Sequence, residues 1–204
     1  MKLYFAPGAC SFSPHIVLRE LGLPFDLVQV DLRSKATRDG RDFRAINPKG
    51  YVPTLELDDG RILTEGPAIV QYLADRKPEA GLAPANGSFE RYQLQEWLNF
   101  ISTEIHKQFS PLFNPDTPDA VKRQQIEKLG GRFTEVGAVL GKHDYLLAGG
   151  YSVADAYLYT VLVWTRFVGI DLAPWPVLVR YMQRMEARPA VQAAQAAEQD
   201  AKKI

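Results

Sequence analysis

Cysteine is almost absent from this chain: among 204 residues there is one, Cys10. A single thiol excludes an intramolecular disulfide framework and any cysteine-rich metal site. Histidine is scarce too. His15, His106 and His143 stand far apart, with no pair at metal-ligand spacing, so no metal centre is expected. Neither sign of charge is in excess, since 24 Lys and Arg face 24 Asp and Glu. That neutrality argues against a nucleic-acid or anionic-membrane partner. Long apolar runs are missing as well. The most apolar stretch, Tyr157 to Ile170, is interrupted by Thr160, Thr165 and Arg166, and it reads as a buried helix, not a membrane span. Near the start, Pro7-Gly8 ends the apolar residues far short of a secretory core. What remains is an ordinary globular composition, 46% hydrophobic and 24% charged. The expected compartment is the cytoplasm, where a single thiol stays reduced.

The first part of the chain alternates short strand and helix signals. Lys2 to Ala6 reads as a strand and Pro14 to Leu21 as a helix stopped by Gly22. Phe25 to Val30 is a second strand, followed by a polar loop from Leu32 to Asp42 and a short helix at Phe43 to Ile46. Thr54-Leu55-Glu56-Leu57, Asp58-Asp59-Gly60 and Arg61-Ile62-Leu63 form a hairpin with Asp-Gly at its turn. Pro67 to Ala74 is a helix. The first crossover has helical length, which makes strands one and two parallel, and the hairpin adds an antiparallel pair. This order is that of a thioredoxin-like α/β domain, placed at 1–80. Small residues, prolines and glycines mark 81–87 as a linker. From 88 to 204 the periodicity is helical, with Leu94, Trp97, Leu98, Ile101 and Ile105 on one face. Further helices are expected over Asp119 to Leu140, Ser152 to Val168, Val177 to Ala187 and Val191 to Ala201. Ser152-Val153-Ala154-Asp155 fits a capping box with the acid at the third helical position, a device for stability alone.

Four places carry residues suited to chemistry. Cys10 lies in a Pro-Gly-Ala-Cys-Ser loop, with Ser13 as the expected N-cap and Pro14 as the first helical residue. A helix N-terminus favours thiolate over thiol; a small buried hydrophobe is the competing role. Val52-Pro53 enters the hairpin strand, where proline cannot donate to the ladder. It is either an ordinary trans proline or a cis turn that leaves the Val52 N–H and C=O for a ligand. Glu65-Gly66-Pro67 opens a helix. Its free N–H groups form an anion site and Glu65 can hold an ammonium, so together they suit an amino-acid-like end; simple capping competes with that role. Asn99, Thr103 and His106 fall at i, i+4 and i+7 on one helix, as a polar stripe that is either a solvated face or part of a site in which His106 stabilises a thiolate.

Taken together these residues resemble the glutathione S-transferase family, in its bacterial beta class. The resemblance runs the length of the chain. It rests on Pro7-Gly8-Ala9-Cys10-Ser11 with Ser13-Pro14-His15-Ile16, on Asn47-Pro48-Lys49-Gly50 with Val52-Pro53, and on Leu63-Thr64-Glu65-Gly66 with Ile69-Val70-Gln71-Tyr72-Leu73-Ala74. It continues in Glu96-Trp97-Leu98-Asn99 with His106-Lys107 and in Val153-Ala154-Asp155-Ala156-Tyr157. The resemblance implies a thioredoxin-like domain followed by an all-helical domain, a homodimer, and glutathione as co-substrate without a metal. It implies a cis Pro53, with Val52 pairing its backbone to the cysteinyl part of glutathione. Glu65 and Gly66 become the γ-glutamyl site, Lys35 the contact to the glycyl carboxylate, and Cys10 a thiol able to form a mixed disulfide. Asn99, Thr103, Glu104 and His106 line the helical side, with Asn99 and its neighbours reaching the partner subunit's glutathione. An acceptor pocket of Phe109, Phe113, Trp164 and Phe167 is expected for a small hydrophobic electrophile. Other classes hold the thiolate with a tyrosine or serine; Tyr4 and Ser11 are nearby, but the pattern points to Cys10. Glycine follows Glu65 where many classes have serine, so a backbone N–H must serve the carboxylate.

The activity implied is conjugation of glutathione to small electrophiles, a detoxification chemistry. Two alternatives stand beside it: monothiol disulfide exchange through Cys10, and a non-enzymatic ligand-binding module on the same fold.

Overall fold

The structure is a computed structural model and describes residues 1–202. It divides into two compact units, one of Met1–Ala80 with the chain from Arg188 onward, the other Gly81–Ala187.

The first unit is built on a four-stranded sheet. Its strands are β1 (Lys2–Phe5), β2 (Asp26–Gln29), β3 (Thr54–Glu56) and β4 (Ile62–Thr64), in the order β2-β1-β3-β4. β1 runs parallel to β2 and antiparallel to β3, and β4 is antiparallel to β3. Between β1 and β2 lies α1 (Phe12–Glu20), and α2 (Gly66–Asp75) follows β4. The hairpin turn closes through Leu57 N–H on Arg61 C=O at 2.9 Å, with Gly60 at φ +83°. Central β1 buries Leu3, Tyr4 and Phe5, as a strand covered on both faces must. Ile16, Val17 and Leu18 of α1 and Ile69, Val70 and Leu73 of α2 are fully buried. A separate cluster holds Tyr4, Ala6, Val30, Phe43 and Val52, with Ala9 packed against it. This second cluster seats the chain leading to Cys10, through Tyr4, Ala6 and Ala9, together with Val52.

The segment Leu32 to Asp42, read as loop, carries two isolated bridges, Val30 with Thr37 and Ala36 with Asp42. The Asp31 carboxylate ties its start by accepting from Arg33 N–H (2.7 Å) and Ser34 N–H (3.0 Å). These backbone donors hold the Asp31 carboxyl below the usual carboxylate range. The last helix, α9 (Pro189–Lys202), belongs to this first unit and packs on α1. The sequence reading grouped it with the helical part, because an amphipathic pattern does not say which surface it covers.

The second unit is helical: α3 (Phe89–Phe100), a π-helical stretch Ile101–His106, α4 (Lys107–Phe113), α5 (Asp119–Leu140), α6 (Val153–Val163), α7 (Thr165–Val168) and α8 (Pro176–Glu186). Every residue of α6 through Leu162 is buried, which makes it the central helix of the unit. Its start is closed by Asp155, which accepts from Ser152 N–H (2.9 Å), Ser152 O–H (3.0 Å) and Leu146 N–H (3.0 Å), with Tyr181 O–H at 3.3 Å. Burial nevertheless pushes the Asp155 carboxyl up to about 6, against these four donors.

Candidate functional site

Residues Lys49 to Pro53 form the hub of the first unit's candidate site, because each of the groups expected there touches this segment. The Cys10 thiol donates to Val52 C=O at 3.2 Å. Pro53 follows through a cis peptide bond. Gly66, at the start of α2, stands against Pro53, so that a Cβ there would lie 3.8 Å from Pro53 Cγ. Lys35 Nζ donates to Gly50 C=O at 3.0 Å and lies 5.7 Å from the centre of the Tyr51 ring. Lys49 Nζ pairs with Glu65 Oε1 at 3.1 Å. Asn47 holds the segment in shape. Its amide donates to Tyr51 C=O (2.9 Å) and to Thr54 Oγ1 (3.0 Å), and its Oδ1 accepts from Lys49 N–H (3.1 Å).

Among the described residues, two outside glycine have a left-handed backbone, Lys35 at φ +60° and Glu65 at φ +69°. Such conformations cost about 1–3 kcal/mol each and are concentrated where side chains must be aimed. Gly50, at φ +64°, leaves room for the Lys35 stem: a Cβ there would meet Lys35 Cδ at 3.3 Å. In this site the Val52 N–H and the Gly66 N–H have no acceptor among the described residues. Both polar groups of Val52 were expected to stay open; the N–H does, while the C=O is taken by the Cys10 thiol.

The start of α1 differs from its sequence reading. The helix begins at Phe12, with Ser11 in the N-cap position and Pro14 as its third residue. Pro14 costs nothing there either, since the first N–H groups of a helix lack intrahelical partners. Ser11 Oγ does not cap the helix because it is bound to both Ala6 N–H and Ala6 C=O, each at 3.2 Å. Ser13 Oγ, the expected cap, is buried with no partner among the described residues. Phe12 N–H and Ser13 N–H are used by Ala9 and Cys10 carbonyls. The thiol itself donates to a carbonyl across the site, Val52 C=O. Tyr4 is also committed elsewhere: its hydroxyl donates to Glu56 at 2.5 Å, and burial with this carboxylate pushes it up to about 12. Neither hydroxyl that other classes use is available beside Cys10.

In the second unit the expected stripe is split. Asn99 and Thr103 are both exposed, and Thr103 Oγ1 donates to Asn99 C=O at 3.1 Å. A π-helical turn then intervenes, with Lys107 N–H reaching back five residues to Ser102 C=O. One extra residue turns everything after it by about 100° relative to an α-helix. His106 therefore leaves the Asn99 face. Its Nδ1 lies 2.6 Å from Tyr157 Oη, and its ring meets Trp164 edge-on at 4.7 Å. Phe109 and Phe113 pack at 5.6 Å from the same Trp164. Glu104 is tied to Arg132 Nη2 at 2.6 Å. The structure brings together His106, Phe109, Phe113 and Trp164 and adds Tyr157, which the sequence reading missed. Phe109 and Trp164 are buried, whereas Phe113 is exposed on one side. Phe167, on α7, is 55% exposed and makes none of these ring contacts. Lys49, Gly50 and Tyr51 were also missed as site residues. Their signal was present in Asn47-Pro48-Lys49-Gly50, which fixes the bend but does not reveal what it touches.

Comparison with known proteins gives a consistent result. A family model described as glutathione S-transferase, N-terminal domain, matches residues 8–76. One described as glutathione S-transferase, C-terminal domain, matches residues 100–189. The glutathione S-transferase GstA of Escherichia coli O157:H7 is 48% identical over 201 residues, covering 97% of this chain and 98% of the relative. Among solved structures, a sphingomonad glutathione S-transferase complexed with glutathione is 48% identical, with a TM-score of 0.94 over 97% of this chain and 98% of that one. A bacterial beta class glutathione S-transferase from Sphingomonas chungbukensis is 45% identical, with the same TM-score and coverage.

Proposed function

The chain belongs to the glutathione S-transferase family, in its bacterial beta class, and is a glutathione transferase; on that premise we propose how its residues take up glutathione and put it to use. The observation that carries the assignment is the Lys49–Pro53 hub, which gathers Cys10, Lys35, Glu65 and Gly66 around one short segment. The γ-glutamyl ammonium goes to Glu65, displacing Lys49, and its carboxylate to the Gly66 N–H. The cysteinyl backbone pairs with Val52, whose N–H is open. Lys35 takes the glycyl carboxylate. The glutathione sulfur then lies against Cys10. Three anchors along one extended tripeptide fix that sulfur in place, and such positioning is worth several kcal/mol of barrier.

In the reaction the glutathione thiol gives its proton to solvent, and the thiolate attacks the electrophilic carbon of a small hydrophobic acceptor. A carbon–sulfur bond forms and the leaving group departs with its electron pair. His106 is assigned as a donor toward developing or resting negative charge. With Tyr157 O–H donating to Nδ1, the Nε2–H is left as the donor. Phe109, Phe113 and Trp164 supply the apolar wall for the acceptor; Phe167, which lies outside that cluster, is retained only as a peripheral contact. Asn99, Thr103 and Glu104 are assigned to the helical side of the glutathione site. Homodimer formation is supported by large rings left in solvent, Tyr51 (67% exposed), Phe89 (73%) and Tyr92 (60%), which are the residue types that interfaces cover. Detoxification in the cytoplasm is the setting that suits one reduced thiol and a hydrophobic acceptor.

Turnover with glutathione and a generic aryl halide tests the assignment. A folded protein that gives no glutathione-dependent product overturns it. Cys10, which is half-buried and not in a disulfide, also supports monothiol disulfide exchange as a second activity. Replacing Cys10 with Ala is expected to abolish exchange with a mixed disulfide while conjugation falls only partly. Retention of exchange by the Cys10→Ala protein would remove that second reading.

A further inference from the structure

The loop that carries Cys10 is fastened by a residue from the far end of the chain. Glu198, on α9, is 4% exposed. Its Oε2 accepts from Gly8 N–H at 2.9 Å, across 190 positions of sequence. Its Oε1 lies 3.0 Å from His15 Nδ1, and His15 Nε2 lies 2.9 Å from Arg19 Nε. An arginine nitrogen can only donate, so His15 Nε2 accepts and Nδ1 carries the hydrogen that Glu198 receives. The ring is fixed further by Phe12 and Phe25, both edge-on, at 6.4 and 5.7 Å. Arg19 thus donates to His15 and His15 to Glu198, and Gly8 N–H donates to the same carboxylate from the other side, so that donors from α1 and from the Cys10 loop converge on Glu198.

Both ends of this contact matter for where Cys10 sits. Gly8 has φ +78° and precedes Cys10 by two residues. Ala9 N–H closes on Ala6 C=O at 3.0 Å, and Phe12 N–H closes on Ala9 C=O at 3.0 Å. Ser11 Oγ grips Ala6 on the other side. The loop is therefore a pair of short linked turns with little slack, and a shift at Gly8 passes to Cys10. A buried carboxylate is an expensive way to pack a helix, since an apolar residue of similar size is often as stable or better. Its use here, with each oxygen on a separate element, specifies one loop position.

We propose that Glu198 is a positioning residue for the Cys10 loop, setting the distance between the thiol and Val52 C=O and hence the seat of the glutathione sulfur. The consequence for turnover rests on the glutathione assignment above; the position of the thiol does not.

The test uses the fact that Cys10 is the sole thiol. An aromatic disulfide reagent reacts with it by thiolate attack on one sulfur, forming a mixed disulfide and releasing one coloured aryl thiolate. The Glu198→Gln protein, with one acceptor where two donors converge, is expected to fold cooperatively. Its rate constant with the reagent should change at least fivefold. The KM for glutathione should rise at least fivefold, with the KM for the aryl halide within twofold. A purely structural residue would lower the melting temperature and leave both quantities unchanged well below it. A folded Glu198→Gln protein with a thiol rate within twofold of the parent overturns the proposal. Glu198→Asp keeps the charge but reaches only one partner, and serves as the same test if the Gln form does not fold; wild-type rates in it are equally fatal. Failure of both variants to fold counts against the proposal as well, since Glu198 would then be a stability element. If the parent protein shows no glutathione turnover, the reagent rate still reports the loop, so the two failures are distinct.

Discussion

Asp155 sets two physical effects against each other, and replacing it with asparagine reveals which prevails. Its carboxyl is buried, yet four donors converge on it: Leu146 N–H, Ser152 N–H, Ser152 O–H and Tyr181 O–H. Hydrogen bonds favour the ionised form, and burial disfavours it. Burial dominates here, raising the group from 3.8 to about 6. At about 1.4 kcal/mol per pH unit, that is roughly 3 kcal/mol. The sign follows from which state holds the proton. Below about pH 4 the carboxyl is protonated in both folded and unfolded chains, and the stabilising contribution is complete. As pH rises the unfolded chain releases its proton first, so the contribution is lost progressively and is gone above about pH 6. The amide in the Asp155→Asn protein cannot titrate. The stability gap between parent and variant is therefore expected to shrink by roughly 3 kcal/mol between pH 4 and pH 7. Urea unfolding at fixed protein concentration, at four pH values in that interval, measures it. A gap that widens as pH rises would refute the reasoning, because the four donors would then outweigh burial and hold the folded carboxyl below 3.8.

Two further outcomes are expected at the site. Lys49→Met removes the ammonium that sits on Glu65; an exposed pair of this kind is worth about 0–1 kcal/mol, so the KM for glutathione should fall by up to about fivefold. A KM that rises instead would mean that Lys49 holds the ligand and does not compete with it. Tyr157→Phe takes the hydroxyl from His106 Nδ1, and a loss of about five- to tenfold in kcat/KM is expected, from about 1 kcal/mol of lost hydrogen bonding. Unchanged kinetics in a protein whose melting temperature is also unchanged would take His106 out of the reaction.

Much of the architecture could be read from local chemistry. Asp58-Asp59-Gly60 announced the hairpin, and the bounds of α5 matched the periodic segment Asp119 to Leu140. Errors arose where a residue's partner lies far away. Ser13-Pro14 looked like a helix start because Ser and Pro prefer those positions. The actual start is two residues earlier, and the Ser11 hydroxyl is consumed by Ala6. The π-helical turn after Phe100 leaves no compositional trace, yet it moves His106 from the Asn99 side to Tyr157 and Trp164. The helix start at Glu65 and Gly66 was legible because a glycine–proline pair after an acid has a definite backbone chemistry. Lys49 was not, since a surface lysine declares nothing about which carboxylate it will meet. The Glu198 to Gly8 contact was beyond reach altogether: no local rule links positions 190 residues apart.

The discontinuous first unit has a consequence for the order of assembly. A chain emerging from the ribosome presents β1 through α2 long before residue 189, because the whole helical unit is made in between. Domains tend to fold as they emerge. The sheet and its first two helices can therefore form early, but Gly8 waits for Glu198, and His15 stays without its carboxylate until α9 arrives. During that interval the only thiol of the chain sits on an unfastened loop. Arrival of α9 and fastening of the Cys10 loop are thus the same event, and a nascent chain stalled before α9 would carry a cysteine that is not yet aimed.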